Sequence, residues 1–121
     1  MSLERLQTLV ADFAEQRDWG QFHTPKNLVM ALTGEVGELS EIFQWLTPEE
    51  SIALGADVTA RAKVESELAD VFIYLLSLAD TLRVDLVAAA EAKVRLNEER
   101  YPVELARGRA VKYSDLDPEK A

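Results

Sequence analysis

The chain has 121 residues, 48% hydrophobic and 29% charged, with 13 Lys and Arg against 22 Asp and Glu and a formal charge of −9. A chain of this length makes one domain that buries roughly two-thirds of its unfolded surface. The acidic balance argues against a nucleic-acid polymer as partner, which needs a basic face. No apolar run approaches the ~20 residues of a membrane helix, and the absence of cysteine excludes disulfides, zinc–thiolate sites and thiol catalysis.

The first segment, MSLERLQTLVADF, sets Glu4 and Asp12 among its apolar positions, so it reads as an amphipathic helix and not as a signal peptide. Leu3, Leu6, Leu9, Val10 and Phe13 give a helix over about 2–16. Arg17 to His23 follows without periodicity and carries three aromatic rings, counting the imidazole. Thr24 and Pro25 are an N-cap and a first helical residue, opening a second helix that should reach about Leu46. Thr47-Pro48 stops it and can cap a short turn ending near Gly55. A third helix is expected over Val58–Leu82. A fourth, over Leu86–Arg100, is capped by Asp85 and ended by Pro102. Residues 103–121 read as an extended tail, so the domain is expected at 1–102. With β-branched alternation nearly absent, the fold class is all-α, a four-helix bundle-like arrangement.

Two of these helices break their own pattern. In the second, Leu28, Leu32, Leu39, Ile42 and Leu46 form one stripe, and the step from Leu32 to Leu39 lands on Glu35, where the pattern assigns a core residue. Glu38 lies three residues on, over the next turn of the same face. In the third helix Val64, Leu68, Val71, Leu75, Leu78 and Leu82 form a similar stripe, flanked by Glu67 and Asp70. Past Asp70 the run Val71–Leu76 is apolar nearly all round. Carboxylates gathered between helices repel one another, and an unpaired charge out of water is costly. A hard divalent cation removes that cost, and Mg²⁺, with oxygen ligands and room for phosphates, fits best. A di-iron centre would need Glu-x-x-His on two helices, and the one histidine, His23, lies outside both pairs. The plainer alternative is a pair of solvated or salt-bridged acidic faces.

The paired motif, Gly34-Glu-Val-Gly-Glu38, then 28 residues, then Glu67-Leu-Ala-Asp70, resembles the MazG-like superfamily of all-α nucleoside triphosphate pyrophosphohydrolases. Gly34 stands where the broad pattern has a first acidic residue, as in the dCTP pyrophosphatase branch. Other strings resemble that branch in order along nearly the whole chain: Arg17-Asp-Trp-Gly-Gln-Phe-His23, Pro25-Lys-Asn-Leu28, Phe43-Gln-Trp45, Arg83-Val-Asp-Leu86, Arg100-Tyr-Pro102 and Lys112-Tyr-Ser-Asp-Leu116.

The resemblance implies a Mg²⁺-dependent enzyme that cleaves dCTP and 5-modified dCTP to the monophosphate and pyrophosphate and so helps cleanse the nucleotide pool; the lack of cysteine fits an expected cytoplasmic location. It implies a homo-oligomer, commonly a tetramer. Carried over by position, Glu35, Glu38, Glu67 and Asp70 are magnesium ligands and the catalytic set. Trp19, Gly20, Gln21, Phe22, His23, Trp45 and Tyr74 match substrate-contacting positions, and Lys93 and Asn97 match positions reaching the phosphates and sugar. Val10 departs from the family, whose animal members tend to have a His there. Glu41 is a further candidate proton acceptor, and Arg109 and Lys112 could approach the phosphates. On residue type alone, Trp19, Phe22 and Trp45 serve equally well as packing rings, and Lys93 and Asn97 as surface. Two alternatives stay open: a broad-specificity or dUTP-directed pyrophosphatase, and a non-catalytic helical interaction module with a structural cation.

Overall fold

Each long helix starts where a side chain can take over an orphan backbone donor. The computed structural model describes residues 1–116. Ser2 accepts from Arg5 N at the head of α1 (Leu3–Gln16). Thr24 accepts from Asn27 N at α2 (Pro25–Phe43), with Pro25 in its first turn. Thr47 and Glu50 form a reciprocal capping box on α3 (Pro48–Ala53), which runs into a 3₁₀ turn over Leu54–Ala56. Asp57 caps α4 (Val58–Leu82) and Asp85 caps α5 (Leu86–Arg100), each accepting at 2.9 Å. Every element among the described residues is helical, and the protein is all-α.

Two expectations need correction. The second helix ends at Phe43 and not near Leu46. Thr47 must be extended to cap α3, so residues 44–46 are spent on a turn closed by Leu46 N donating to Phe43 O at 2.9 Å. This leaves Trp45 outside the helix and 86% exposed. The segment after Pro102 is not simply extended. Val103–Ala106 forms a short helix, α6, and Tyr113–Asp115 a 3₁₀ turn. The Tyr113 ring meets Tyr101 edge-on at 6.2 Å and the Arg100 guanidinium at 4.6 Å, which folds the segment back on the end of α5. The last five residues of that expected tail, 117–121, lie outside the described residues.

Two compact units result. The first, Met1–Val84, holds α1 to α4, and the second begins at Asp85 with α5. Within the first unit, α4 packs against both α2 and α1. Its centre is small: Leu28 and Leu76, each 1% exposed, and Ala79 are the fully buried hydrophobic residues among those described.

The faces of α4 also differ from the expected stripe. The row turned inward is Val64, Glu67, Val71, Tyr74 and Leu78, all half-buried. Leu68, Phe72, Leu75 and Leu82 lie exposed on another side. Glu67 therefore occupies a seam position outright and does not flank one. The sequence offered two overlapping apolar rows, and α2 packs against the row that carries the carboxylate.

Candidate active site

Packing α2 against α4 brings Glu35, Glu38 and Glu67 together. One carboxylate oxygen from each lies within 4.8 Å of the other two. Glu35 and Glu67 are half-buried and Glu38 is exposed. The Oε2 atoms of Glu35 and Glu67 are buried and meet no hydrogen-bond donor among the described residues. Such oxygens are costly as they stand, because water is lost and nothing replaces it.

The electrostatics agree. Burial in the seam pushes the Glu35 carboxyl above the usual carboxylate range, helped by a proton shared with Glu38 and by the charges of Glu38, Asp70 and Glu67. Burial likewise raises Glu67, followed by the charge of Glu38, their shared proton and the charge of Asp70, against a smaller opposing pull from Lys63. Asp70 thus contributes negative potential to the cluster. It is half-buried one turn beyond Glu67 and is not among the three residues whose oxygens converge. An all-oxygen donor set with two buried, donorless atoms fits a hard divalent cation.

At the N-terminal end of α2, about 15 Å along the helix from Glu35, the connection between α1 and α2 builds an aromatic corner. Trp19 N donates to Ala14 O at 3.0 Å, and Asp18 takes a left-handed φ of 53° to allow it. The Trp19 ring meets Phe13 edge-on at 5.6 Å and His23 at 6.3 Å. Arg17 covers the Phe13 ring at 3.7 Å. Gln21 is held within the loop, its amide donating to the Asp18 carbonyl at 3.0 Å. Asn27 Nδ2 donates to Phe22 O at 2.9 Å, tying the loop to α2, while the Phe22 ring stays exposed. A cavity of about 380 Å³ opens between α1, this loop and α4, with Gly20 and His23 on its wall and Val10 facing them from α1.

The remaining candidates are dispersed. Tyr74 is half-buried on α4, one turn beyond Asp70 on the same row. Glu41 is exposed on α2, one turn past Glu38. Trp45 is exposed beyond the end of α2. In the second unit, Lys93 and Asn97 lie exposed one turn apart on α5, Arg109 donates to Leu105 O at 3.3 Å, and Lys112 is exposed. Sequence reasoning missed the α4 wall of the cavity, Ser77 and Asp80. The signal was present: Asp70, Tyr74 and Ser77 continue one helical row.

The MazG-like family model matches residues 31–116, which include all four acidic residues. The chain is 50% identical over 115 residues to the dCTP pyrophosphatase 1 proteins of Bos taurus and Homo sapiens, covering 95% of this chain and 68% of each relative. Its fold is similar to the crystal structure of a pyrophosphatase from Archaeoglobus fulgidus, with a TM-score of 0.78 and 39% identity over 83% of this chain and 92% of that one.

Proposed function

Because the chain belongs to the MazG-like family, we propose that it is a hydrolase that cleaves dCTP to dCMP and pyrophosphate with the help of Mg²⁺. The observation that carries the mechanism is the convergence of Glu35, Glu38 and Glu67, with two oxygens buried and lacking donors. The choice of dCTP rests on the likeness to relatives named for that substrate, and 5-modified dCTP is included in the reading. The nucleotide pool it acts on is cytoplasmic.

Bound Mg²⁺ supplies charge neutralisation on the phosphates and activation of the attacking water. Glu35, Glu38 and Glu67, with Asp70 one turn on, would hold it, and phosphoryl transfer asks a protein chiefly for such positioning and compensating charge. One of these carboxylates, or Glu41, accepts the proton released by the water. The corner formed by Trp19, Gly20, Gln21, Phe22 and His23 receives the base, with Tyr74 as a further contact; Trp45, past the far end of α2, would meet a nucleotide only from a neighbouring copy. Lys93 and Asn97 are kept as phosphate and sugar candidates, and Arg109 and Lys112 as auxiliary cations, on the family resemblance alone.

In this reading the fold is of the four-helix bundle-like MazG type, and the catalytic domain is residues 1–102. The exposed row Leu68, Phe72, Leu75 and Leu82 supports assembly with further copies, as a homotetramer.

The deciding experiment measures pyrophosphate release from dCTP, 5-methyl-dCTP, dUTP and dTTP, with and without Mg²⁺. Release from dCTP only with Mg²⁺, lost in Glu38→Gln, supports the reading. Stabilisation by Mg²⁺ with every nucleotide left intact overturns it in favour of a non-catalytic module.

A further inference from the structure

The cavity between α1, the loop after it and α4 carries chemistry that the carboxylate cluster does not use. Its titratable lining is Glu15, Asp18, His23 and Asp80, and among the described residues no Lys or Arg lines it. A wall of that composition repels a polyphosphate and receives a group that offers N–H donors. Asp18 is already engaged, its Oδ2 accepting from Gln21 Nε2 at 3.2 Å. The ion pairs found among the described residues, Arg61–Glu65 and Arg95–Glu91, leave Asp80 and Glu15 out.

Asp80 differs from Glu15 in what fixes it. It follows the buried Ala79 and stands one turn beyond the buried Leu76, on the same helix as Glu67 and Asp70. Ser77 and Asp80 are ten and thirteen residues past Glu67, the α4 member of the carboxylate cluster, roughly 15 and 20 Å along the helix axis. Extended dCTP, with a cation between its phosphates and the carboxylates at one end and the Asp80 side chain reaching in at the other, covers a separation of this order. Glu15 sits in the last turn of α1, on the opposite wall.

Resting on the dCTP hydrolase reading above, we infer that Asp80, with Ser77 beside it, is a base-specificity residue. Its carboxylate accepts from the exocyclic amino group of cytosine. Uracil and thymine present a carbonyl oxygen at the same place, and an ionised carboxylate has no proton to give it. Two acceptors then face each other and both lose their water. Discrimination comes from rejecting the wrong base as much as from holding the right one.

The test compares kcat/KM for dCTP and dUTP, with Mg²⁺, in the unaltered protein, Asp80→Asn, Asp80→Ala and Glu15→Gln. The unaltered protein prefers dCTP. Asp80→Asn lowers the dCTP-to-dUTP ratio by about tenfold or more, because its amide can donate to the uracil oxygen. Asp80→Ala lowers the ratio by loss on dCTP alone. Glu15→Gln leaves the ratio in place, and all variants keep their melting temperature because both positions are exposed. An unchanged ratio in both Asp80 variants overturns the inference, as does an equal fall in Glu15→Gln. If the unaltered protein cleaves no triphosphate, the dCTP hydrolase reading fails. Calorimetric binding of dCMP against dUMP then decides Asp80 separately: a preference lost in Asp80→Asn supports it, and none in the unaltered protein overturns it.

Discussion

Glu35 on α2 and Glu67 on α4 offer carboxylate oxygens within 4.8 Å of each other, and each also buries an Oε2 that no donor among the described residues reaches. Two negative groups held in this way oppose the packing of the helices that carry them. The seam is therefore strained electrostatically until positive charge enters it.

Magnesium should act as a stabiliser as well as an activator. A ligand present at a hundred times its Kd adds about 2.7 kcal/mol when only the folded state binds it. The melting temperature should rise with Mg²⁺ and return to its starting value with excess EDTA. Glu38→Gln should shrink that rise and cut pyrophosphate release by at least about 100-fold, the upper end of what losing even a supporting partner of a metal ligand costs. A variant that melts higher with Mg²⁺ as before and still turns over would remove Glu38 from the site.

The stability of the metal-free protein should depend on pH in a definite direction. Folding raises the Glu35 and Glu67 carboxyls, so over the window between their unfolded and folded values the folded state holds protons that the unfolded state has lost. Their contribution is most favourable below the unfolded value and declines as pH rises through that window. Denaturant midpoints in EDTA should show this decline from the usual carboxylate range upward. The double variant Glu35→Gln, Glu67→Gln should flatten it, and Mg²⁺ should offset it most strongly on the high-pH side.

Leu76 is 1% exposed and packs where α4 meets its neighbours. Leu76→Ala should cost about 2–5 kcal/mol, the usual range for emptying a buried leucine site. Urea titration at fixed Mg²⁺ measures it. A loss well under that range would mean that the site collapses around the smaller side chain.

Trp19 is held edge-on by Phe13 and by His23. Trp19→Ala should raise KM for dCTP about tenfold, in keeping with ~1–3 kcal/mol for a base stacked on an aromatic ring. It should leave kcat within a few-fold, because the ring is assigned no contact with the reacting phosphate. A collapse of kcat at unchanged KM would contradict the placement of the base in this corner.

The helix limits were legible because their caps are local. Thr24, Thr47, Asp57 and Asp85 each bond a backbone N–H three residues ahead, and that information is in the string itself. Glu35 was legible for a related reason, as a charge at a position where periodicity demanded a leucine. The inward face of α4 was harder to read. Leu68-Leu75-Leu82 and Val64-Val71-Leu78 are equally good apolar rows, and only the approach of α2 selects the second. The fold of residues 103–116 escaped because Tyr113 is anchored by Arg100 and Tyr101, contacts that no periodicity announces. Asp80 was overlooked because an aspartate on a helix surface reads as solvent-facing until a cavity wall is seen beside it.

Leu68, Phe72, Leu75 and Leu82 leave oily surface on α4 while few side chains among the described residues are fully enclosed. Part of the interior of the working molecule would then be supplied from outside each chain, and dilution would act on it as a denaturant does. Specific activity should fall as the protein is thinned out and recover on reconcentration. The cell would thus set the amount of competent enzyme through expression level, more steeply than in proportion to the number of chains made.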